Sequence, residues 1–115
     1  MPERHPETAE VRRLRTKIDA LDRKLVALLN ERAELARQTG RAKDAAGVKP
    51  IRDAEREREV LLRVSMANTG PLPQADLLAL YRRLFVATRA LEAADRARAA
   101  RDPGRDGGPG GTKRP

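Results

Sequence analysis

The chain has 115 residues and a formal net charge of +8, with 25 lysines and arginines against 17 aspartates and glutamates. It contains no cysteine and a single histidine, His5, which excludes disulfides, thiolate metal sites and cysteine nucleophiles. Aromatic residues are only 2% of the chain, too few to stack single-stranded bases, and no apolar run approaches the ~20 residues of a membrane helix.

Half of the net charge belongs to the C-terminal segment, since residues 96–115 carry six basic and two acidic side chains. Gly and Pro dominate residues 102–115, so we predict that this tail is disordered, as is the N-terminal stretch 1–6. One helical domain is expected over residues 7–101. Its basic residues alternate with acidic ones, which argues against a nucleic-acid partner. Together with the lack of long apolar segments, this predicts a soluble, cytoplasmic protein without a membrane partner.

The first predicted helix covers about residues 7–46 and carries an apolar seam. Its apolar residues alternate spacings of three and four, which is a heptad pattern; they are Val11, Leu14, Ile18, Leu21, Leu25, Leu28 and Leu35. Such a helix is roughly 60 Å long at ~1.5 Å per residue, too long for two shorter helices of one chain to cover. The pattern therefore predicts a homodimer that pairs two long helices. Gly47 and Pro50 are expected to end the helix.

Two shorter helices are predicted after this break. The second covers about residues 51–68 and is followed by Gly70, which we expect to supply a left-handed cap, and by Pro71. The third covers about residues 74–98, with Pro73 suited to its first turn. Its predicted apolar face consists of Leu77, Leu80, Tyr81, Leu84, Phe85 and Leu91. Nothing in the chain alternates like a strand, so the expected fold class is all-α with three helices per chain.

Each predicted helix also carries polar residues on its apolar face. They are Arg32 and Lys43 on the first helix, Asp53 and Glu57 on the second, and Thr88 and Glu92 on the third. Two interpretations compete, because desolvating an unpaired charge costs on the order of several kcal/mol. One is a buried salt-bridge network among these groups. The other is a cavity for a small polar anion between facing helices.

Arg15 is far from the other candidate site residues of its helix, since it lies 17 residues before Arg32. On a straight helix this separates the two by about 25 Å along the axis and turns them to different faces. Arg15 is therefore expected to reach such a cavity only from an antiparallel partner chain.

Six short segments share their order and spacing with one known family. They are Leu14-Arg15-Thr16-Lys17-Ile18-Asp19-Ala20-Leu21-Asp22, Leu28-Leu29-Asn30-Glu31-Arg32, Gly40-Arg41-Ala42-Lys43, Pro50-Ile51-Arg52-Asp53-Ala54-Glu55-Arg56-Glu57, Gly70-Pro71-Leu72-Pro73 and Thr88-Arg89-Ala90-Leu91-Glu92. In this order they resemble the all-helical, AroQ-type chorismate mutases. The resemblance covers about residues 11–95, and the second-helix segment is its most specific part.

The resemblance implies an intertwined homodimer of three-helix chains with two active sites. Members of the family convert chorismate to prephenate without a cofactor, in the shikimate route to Phe and Tyr, so the implied partner is a small dicarboxylate substrate. Carried over by motif, Arg15 from the other chain and Arg32 would each bind one substrate carboxylate. Lys43 would hydrogen-bond the ether oxygen and a carboxylate.

The same resemblance assigns roles to five side chains of the second and third helices. Asp53 and Glu57 would address the ring hydroxyl, and Arg56 would help to orient the ring carboxylate. Thr88 stands at a family serine position. Glu92 stands at a position that faces the ether oxygen and is often glutamine in the family. It is the main departure of this sequence from the family pattern. An ionised carboxylate cannot donate a hydrogen bond, so Glu92 is expected to act only when protonated.

Three other activities stay open on the sequence alone. One is a mutase acting on 4-amino-4-deoxychorismate. This substrate differs from chorismate only at the ring substituent that Asp53 and Glu57 would bind, so the sequence does not exclude it. A lyase acting on isochorismate fits the Arg52-Asp53-x-x-Arg56-Glu57 pattern less well. A helical dimerisation or nucleic-acid adaptor would lack a small-anion pocket and bind with a steep dependence on salt.

Overall fold

The computed structural model of the chain describes residues 6–48 and 53–101, which form three α-helices and no strand. The helices are α1 (Ala9–Ala45), α2 (Ala54–Ala67) and α3 (Gln74–Arg101). The prediction of an all-α, three-helix chain is thus confirmed for these residues. Of the described helices, none is both long enough and apolar enough to cross a membrane.

Two predictions concern segments that lie wholly or mostly outside the residues that the structure describes. Disorder was expected for residues 1–6 and 102–115, and of these only Pro6 is described. Pro50, expected to contribute to the break after α1, also lies outside the described residues.

The chain divides into two compact units, Met1–Leu35 and Ala36–Pro115, and the boundary falls within α1. In the first unit, Thr8 caps the start of α1, because its hydroxyl accepts the Val11 N–H at 3.1 Å. The apolar seam of α1 is uncovered along its whole length. Its residues are between 37% and 61% exposed: Val11, Leu14, Ile18, Leu21, Leu25, Leu28 and Leu35.

In the second unit, α1 ends as predicted at a glycine. Gly47 has a φ of +78°, a left-handed conformation that side chains with a Cβ rarely adopt. The Val48 N–H donates to the Lys43 carbonyl at 2.9 Å, and the Gly47 N–H donates to the Asp44 carbonyl at 3.0 Å. This is a Schellman motif, which satisfies the last carbonyls of the helix and fixes the backbone at Lys43.

The connection from α2 to α3 differs from the expectation. Gly70 does not adopt a left-handed conformation; α2 instead ends at Asn68, whose backbone is extended. The Asn68 side-chain amide donates to the Leu72 carbonyl at 3.0 Å and to Gln74 Oε1 at 2.8 Å. Gln74 Nε2 in turn donates to the Ser65 carbonyl at 3.2 Å. A side-chain network therefore replaces the predicted glycine cap, because an asparagine amide reaches both helix ends.

Helices α2 and α3 pack against each other in this unit. Phe85 is 7% exposed and is the one buried apolar side chain among the described residues. Its ring packs edge-on against Tyr81, with centroids 6.4 Å apart. Leu80, predicted on the same apolar face, is exposed.

Candidate active site

The end of α1 and the start of α2 bring a lysine close to a carboxylate. Lys43 Nζ lies 3.9 Å from Asp53 Oδ2, and both side chains are about half exposed. The Schellman motif holds the backbone of Lys43, so this pair is positioned from the α1 side. An exposed pair at this distance adds little stability, which leaves the lysine ammonium able to bind a ligand.

Asp53 is the N-cap of α2, so the prediction that the second helix begins near Ile51 is wrong. The carboxylate accepts the Arg56 backbone N–H through Oδ1 at 2.9 Å, and α2 begins at Ala54. An aspartate is among the best residues for this position because it satisfies a helix N–H that lacks a partner. The two oxygens of Asp53 thus have different tasks: Oδ1 caps the helix and Oδ2 faces Lys43.

Glu57 forms an ion pair with Arg89 of α3, in which the guanidinium donates to the carboxylate. The side chains of Glu57 and Arg89 are 15% and 34% exposed, so this pair is more buried than that of Lys43 and Asp53. One of the two interpretations of the sequence grouped Glu57 with Arg32 and Lys43 in a salt-bridge network, and neither interpretation foresaw the pair with Arg89.

The Glu57–Arg89 pair opens into a cleft of about 350 Å³ between α2 and α3. The lining residues are Ala54, Glu57, Arg58, Leu61, Arg82, Phe85, Val86 and Arg89. Three of them are arginines and one is an acid, so the cleft wall carries an excess of positive charge. A small anion fits this electrostatic pattern.

Glu92 of α3 lies against the backbone of α1 at Gly40. Its Oε2 atom is 3.4 Å from the place where a Cβ at Gly40 would sit. One turn of α1 leads from Gly40 to Lys43, and residues three apart lie on neighbouring positions of a helix surface. The Glu92 carboxylate therefore lies beside the last turns of α1, at a distance where a Cβ at position 40 would be in ordinary van der Waals contact with it.

A second contact between α1 and α3 lies one turn earlier on α1 and one turn later on α3. Arg37 Nε and Nη2 donate to the two carboxylate oxygens of Asp95 at 2.8 and 2.9 Å. The hydrogen bond from Arg37 holds the pKa of Asp95 below its ordinary value, against a smaller opposing effect of burial. Arg98 adds a hydrogen bond to the same carboxylate at 3.2 Å.

Two further predicted site residues lie on these helices. Thr88 is partly buried on α3, one turn before Glu92. The guanidinium of Arg56 is exposed and pairs with Glu59 on the same helix. The hydrogen bond of Arg56 to the Asp53 carboxylate comes from its backbone N–H, not from its side chain.

The two remaining predicted residues belong to the first unit. Arg15 is 69% exposed and forms an ion pair with Glu7. Arg32 is partly exposed on α1. The second unit therefore holds six of the eight predicted site residues: Lys43, Asp53, Arg56, Glu57, Thr88 and Glu92.

Three charged residues that organise this region are not among the predicted site residues: Arg37, Arg89 and Asp95. Asp95 lies three residues after Glu92, on a neighbouring position of α3, and Arg37 precedes Gly40 by the same interval on α1. Helical spacing could have placed these two residues on the relevant faces. Arg89 lies three residues before Glu92, so helical spacing could have placed it near that face as well, but it could not have identified its partner Glu57, which lies on another helix 32 residues away.

The fold and these pairs define a class of protein: a small all-α chain with ion pairs between its helices, one of which lines a cleft that could hold a polar ligand. The chain belongs to the chorismate mutase type II family. The family model matches residues 14–93, which reach into all three helices.

Curated relatives contain this region as part of a longer protein. The bifunctional chorismate mutase/prephenate dehydratase of Aquifex aeolicus is 39% identical over 87 residues, which cover 72% of this chain and 24% of that protein. The protein of the same name from Escherichia coli is 55% identical over 51 residues, covering 44% of this chain and 13% of the relative. The chain thus spans a quarter or less of the length of these relatives.

Solved structures of similar extent show the same fold. The chorismate mutase of Thermus thermophilus in form II is 31% identical, with a TM-score of 0.69, and the match covers 73% of this chain and 94% of that one. Form I of that protein gives a TM-score of 0.65 at 30% identity, covering 69% and 98% of the two chains.

Proposed function

We propose that this chain is a chorismate mutase, which rearranges chorismate to prephenate in aromatic amino-acid biosynthesis. The observation that carries the proposal is the family match over residues 14–93, which reaches into all three helices. It is supported by the likeness to the Thermus chorismate mutase, because the match covers 94% of the Thermus chain. These relatives favour chorismate over the 4-amino analogue as the substrate.

The proposed reaction is intramolecular, since one C–O bond breaks while one C–C bond forms within the same molecule. It calls for a site that holds the flexible enolpyruvyl arm over the ring, so that the two reacting carbons meet. Negative charge develops on the ether oxygen as the C–O bond breaks. A donor fixed beside that oxygen stabilises the transition state more than the substrate. No cofactor enters this proposal.

Lys43 and Glu92 are the groups proposed to act at the ether oxygen. Lys43 is supported by its fixed backbone and its half-exposed ammonium, which has three N–H donors for the oxygen and a neighbouring carboxylate. Glu92 is supported by its approach to Gly40, one turn from Lys43. In this role Glu92 donates from its protonated form.

Asp53 and Glu57 are proposed to accept a hydrogen bond from the ring hydroxyl, with Thr88 as a further polar contact. The Oδ2 side of Asp53, which takes no part in capping, and the position of Glu57 beside the cleft support this role. Arg56 is proposed to orient the ring carboxylate. For this it must exchange its ion pair with Glu59 for one with the substrate.

The working form is proposed to be an intertwined homodimer, in the cytoplasm, with each site built from two chains. Its support is the α1 seam, whose seven apolar residues are 37–61% exposed in a single chain. A second copy of the same helix offers the matching seam, as in other heptad pairs. Arg15, exposed on α1, would then bind one substrate carboxylate in the partner's site, where Arg32 binds the other.

The first experiment measures the activity itself. Purified protein is incubated with chorismate, and the loss of chorismate absorbance is followed together with the appearance of prephenate. Turnover well above the uncatalysed rate is the expected result. Absence of turnover by the folded protein would contradict the proposed activity.

A second experiment tests the shared site by complementation. Arg15→Ala and Arg32→Ala are each expected to be inactive. Mixing them under conditions of subunit exchange should restore about a quarter of the wild-type rate, because half of the dimers are mixed and each mixed dimer has one complete site of two. Arg13→Ala, which removes an exposed α1 arginine paired with Glu10, is the control and should stay active. No recovery despite demonstrated exchange would contradict the shared site.

A further inference from the structure

The geometry points to Arg89 as a specificity-determining residue. We propose that its guanidinium, paired with Glu57, makes the site select a neutral hydroxyl over a protonated amine on the substrate ring. This inference rests on the proposed function, in which Asp53 and Glu57 address that ring substituent. It concerns a residue outside the set assigned there.

Both carboxylates proposed for this substituent already have a cation beside them. Arg89 donates to Glu57 across the α2–α3 packing, and Lys43 Nζ lies 3.9 Å from Asp53 Oδ2. The two negative charges are therefore balanced by two positive charges. The pairs still offer carboxylate oxygens as acceptors, because each carboxylate has about four lone-pair sites.

The charge balance matters because the two candidate substituents differ in charge. A hydroxyl is neutral and needs only an acceptor. An aliphatic amine is protonated at neutral pH, as a lysine amine is, and gains most from carboxylates whose charge is not compensated. A nearby guanidinium repels that ammonium while leaving the hydroxyl unaffected, and such a repulsive element is a common source of specificity.

Arg89 carries more of this effect than Lys43. The Glu57–Arg89 pair is the more buried, with side chains 15% and 34% exposed, whereas Lys43 and Asp53 are each about half exposed. Solvent and salt screen the exposed pair more strongly. A guanidinium also keeps its charge throughout the pH range in which proteins are stable.

The test compares kcat/KM for chorismate and for 4-amino-4-deoxychorismate at neutral pH and low salt. The wild-type protein should prefer chorismate. Arg89→Met should raise the ratio of amino-substrate to chorismate activity at least about tenfold, as expected from removing one charge a few ångströms away. Arg89→Lys keeps the charge and should keep most of the preference. Arg83→Met removes an exposed arginine of α3 that is not among the residues lining the cleft and should leave the ratio unchanged.

Two kinds of result would overturn the inference, and they are distinguishable from failure of the proposed function. A wild-type protein that turns over neither compound contradicts the function itself. A protein that turns over chorismate but shows the same ratio in Arg89→Met, or one that prefers the amine from the start, contradicts the role of Arg89 alone. Arg89→Gln provides the same charge removal if Arg89→Met does not fold, as judged by circular dichroism.

Discussion

Arg37 binds Asp95 with two nearly parallel hydrogen bonds, at 2.8 and 2.9 Å, and so joins the last turns of α1 to α3. The pair lies one turn from the place where Glu92 meets Gly40. A two-pronged pair fixes both the distance and the rotation of two helices, because the guanidinium and the carboxylate must be coplanar to make both bonds. It thereby sets which part of α1 the Glu92 carboxylate can reach.

This pair should make stability depend on acid pH. Arg37 holds the pKa of Asp95 below its ordinary value, so the ionised carboxylate stabilises the fold above pH ~4 and loses that contribution as the pH falls through the lowered pKa. Asp95→Asn should lower the free energy of unfolding by about 1 kcal/mol near neutrality and less in acid. Urea unfolding between pH 7 and pH 2 measures this.

The exposed α1 residue Asp22 provides the control for that measurement, through Asp22→Asn. This variant should follow the wild-type acid dependence. Equal acid dependence in Asp95→Asn and the wild-type protein would show that the Arg37 pair contributes no pH-dependent stability.

The two oxygens of Asp53 allow its helix-capping role to be separated from its proposed role in binding. Asparagine caps a helix about as well as aspartate, so Asp53→Asn should keep the wild-type stability, whereas Asp53→Ala should lose about 1 kcal/mol. Both variants remove the charge that faces Lys43 and should lower kcat/KM for chorismate. Thermal unfolding and initial rates on the same samples give both quantities. Full activity in Asp53→Asn would show that the carboxylate caps α2 but is not needed to bind the substrate.

Lys43 is proposed to act in the transition state, so its loss should affect kcat rather than KM. Lys43→Ala should lower kcat by about a hundredfold or more, the usual effect of removing a donor to developing negative charge. Steady-state kinetics with chorismate measures both constants. Lys24→Ala removes an exposed lysine of α1 and should change neither. A near-normal kcat in Lys43→Ala would contradict the proposed hydrogen bond from Lys43 to the ether oxygen.

Glu92 should make activity fall towards alkaline pH, because only its protonated form donates a hydrogen bond to the ether oxygen. Glu92→Gln donates through an amide at any ordinary pH, so its kcat should stay level where that of the wild-type protein declines. The measurement is kcat against pH for both proteins, with folding checked at each pH. Superimposable profiles would mean that the Glu92 side chain does not face the ether oxygen.

Helix formation and the end of α1 followed from local sequence, whereas the end of α2 did not. Gly47 was expected to mark a break and does so, because a left-handed residue is needed there and glycine adopts it at little cost. Gly70 had the same local signal. At α2 the Asn68 side chain bridges to Leu72 and Gln74 instead, and such a network depends on where α3 begins.

The candidate site shows the same division between local and long-range information. Asp53 and Glu57 could be placed near one helix end from their spacing, and the structure pairs Asp53 with Lys43. Arg89 could not be assigned to Glu57, because ion pairs between helices depend on packing that no single segment encodes. The pairing of α1 with a second chain stays a prediction, supported by the exposed seam.

That uncovered seam on α1 also has a consequence for dilute protein. In an isolated chain Phe85 is buried, while the seven apolar residues of the α1 seam are exposed to water, so little of its stability can come from its own core. Under the proposed pairing, folding and association are one equilibrium, and the unfolding midpoint rises with protein concentration. In a cell, newly made chains that have not met a partner would be the fraction most open to proteases and aggregation. The rate of synthesis would then govern how much of the protein survives.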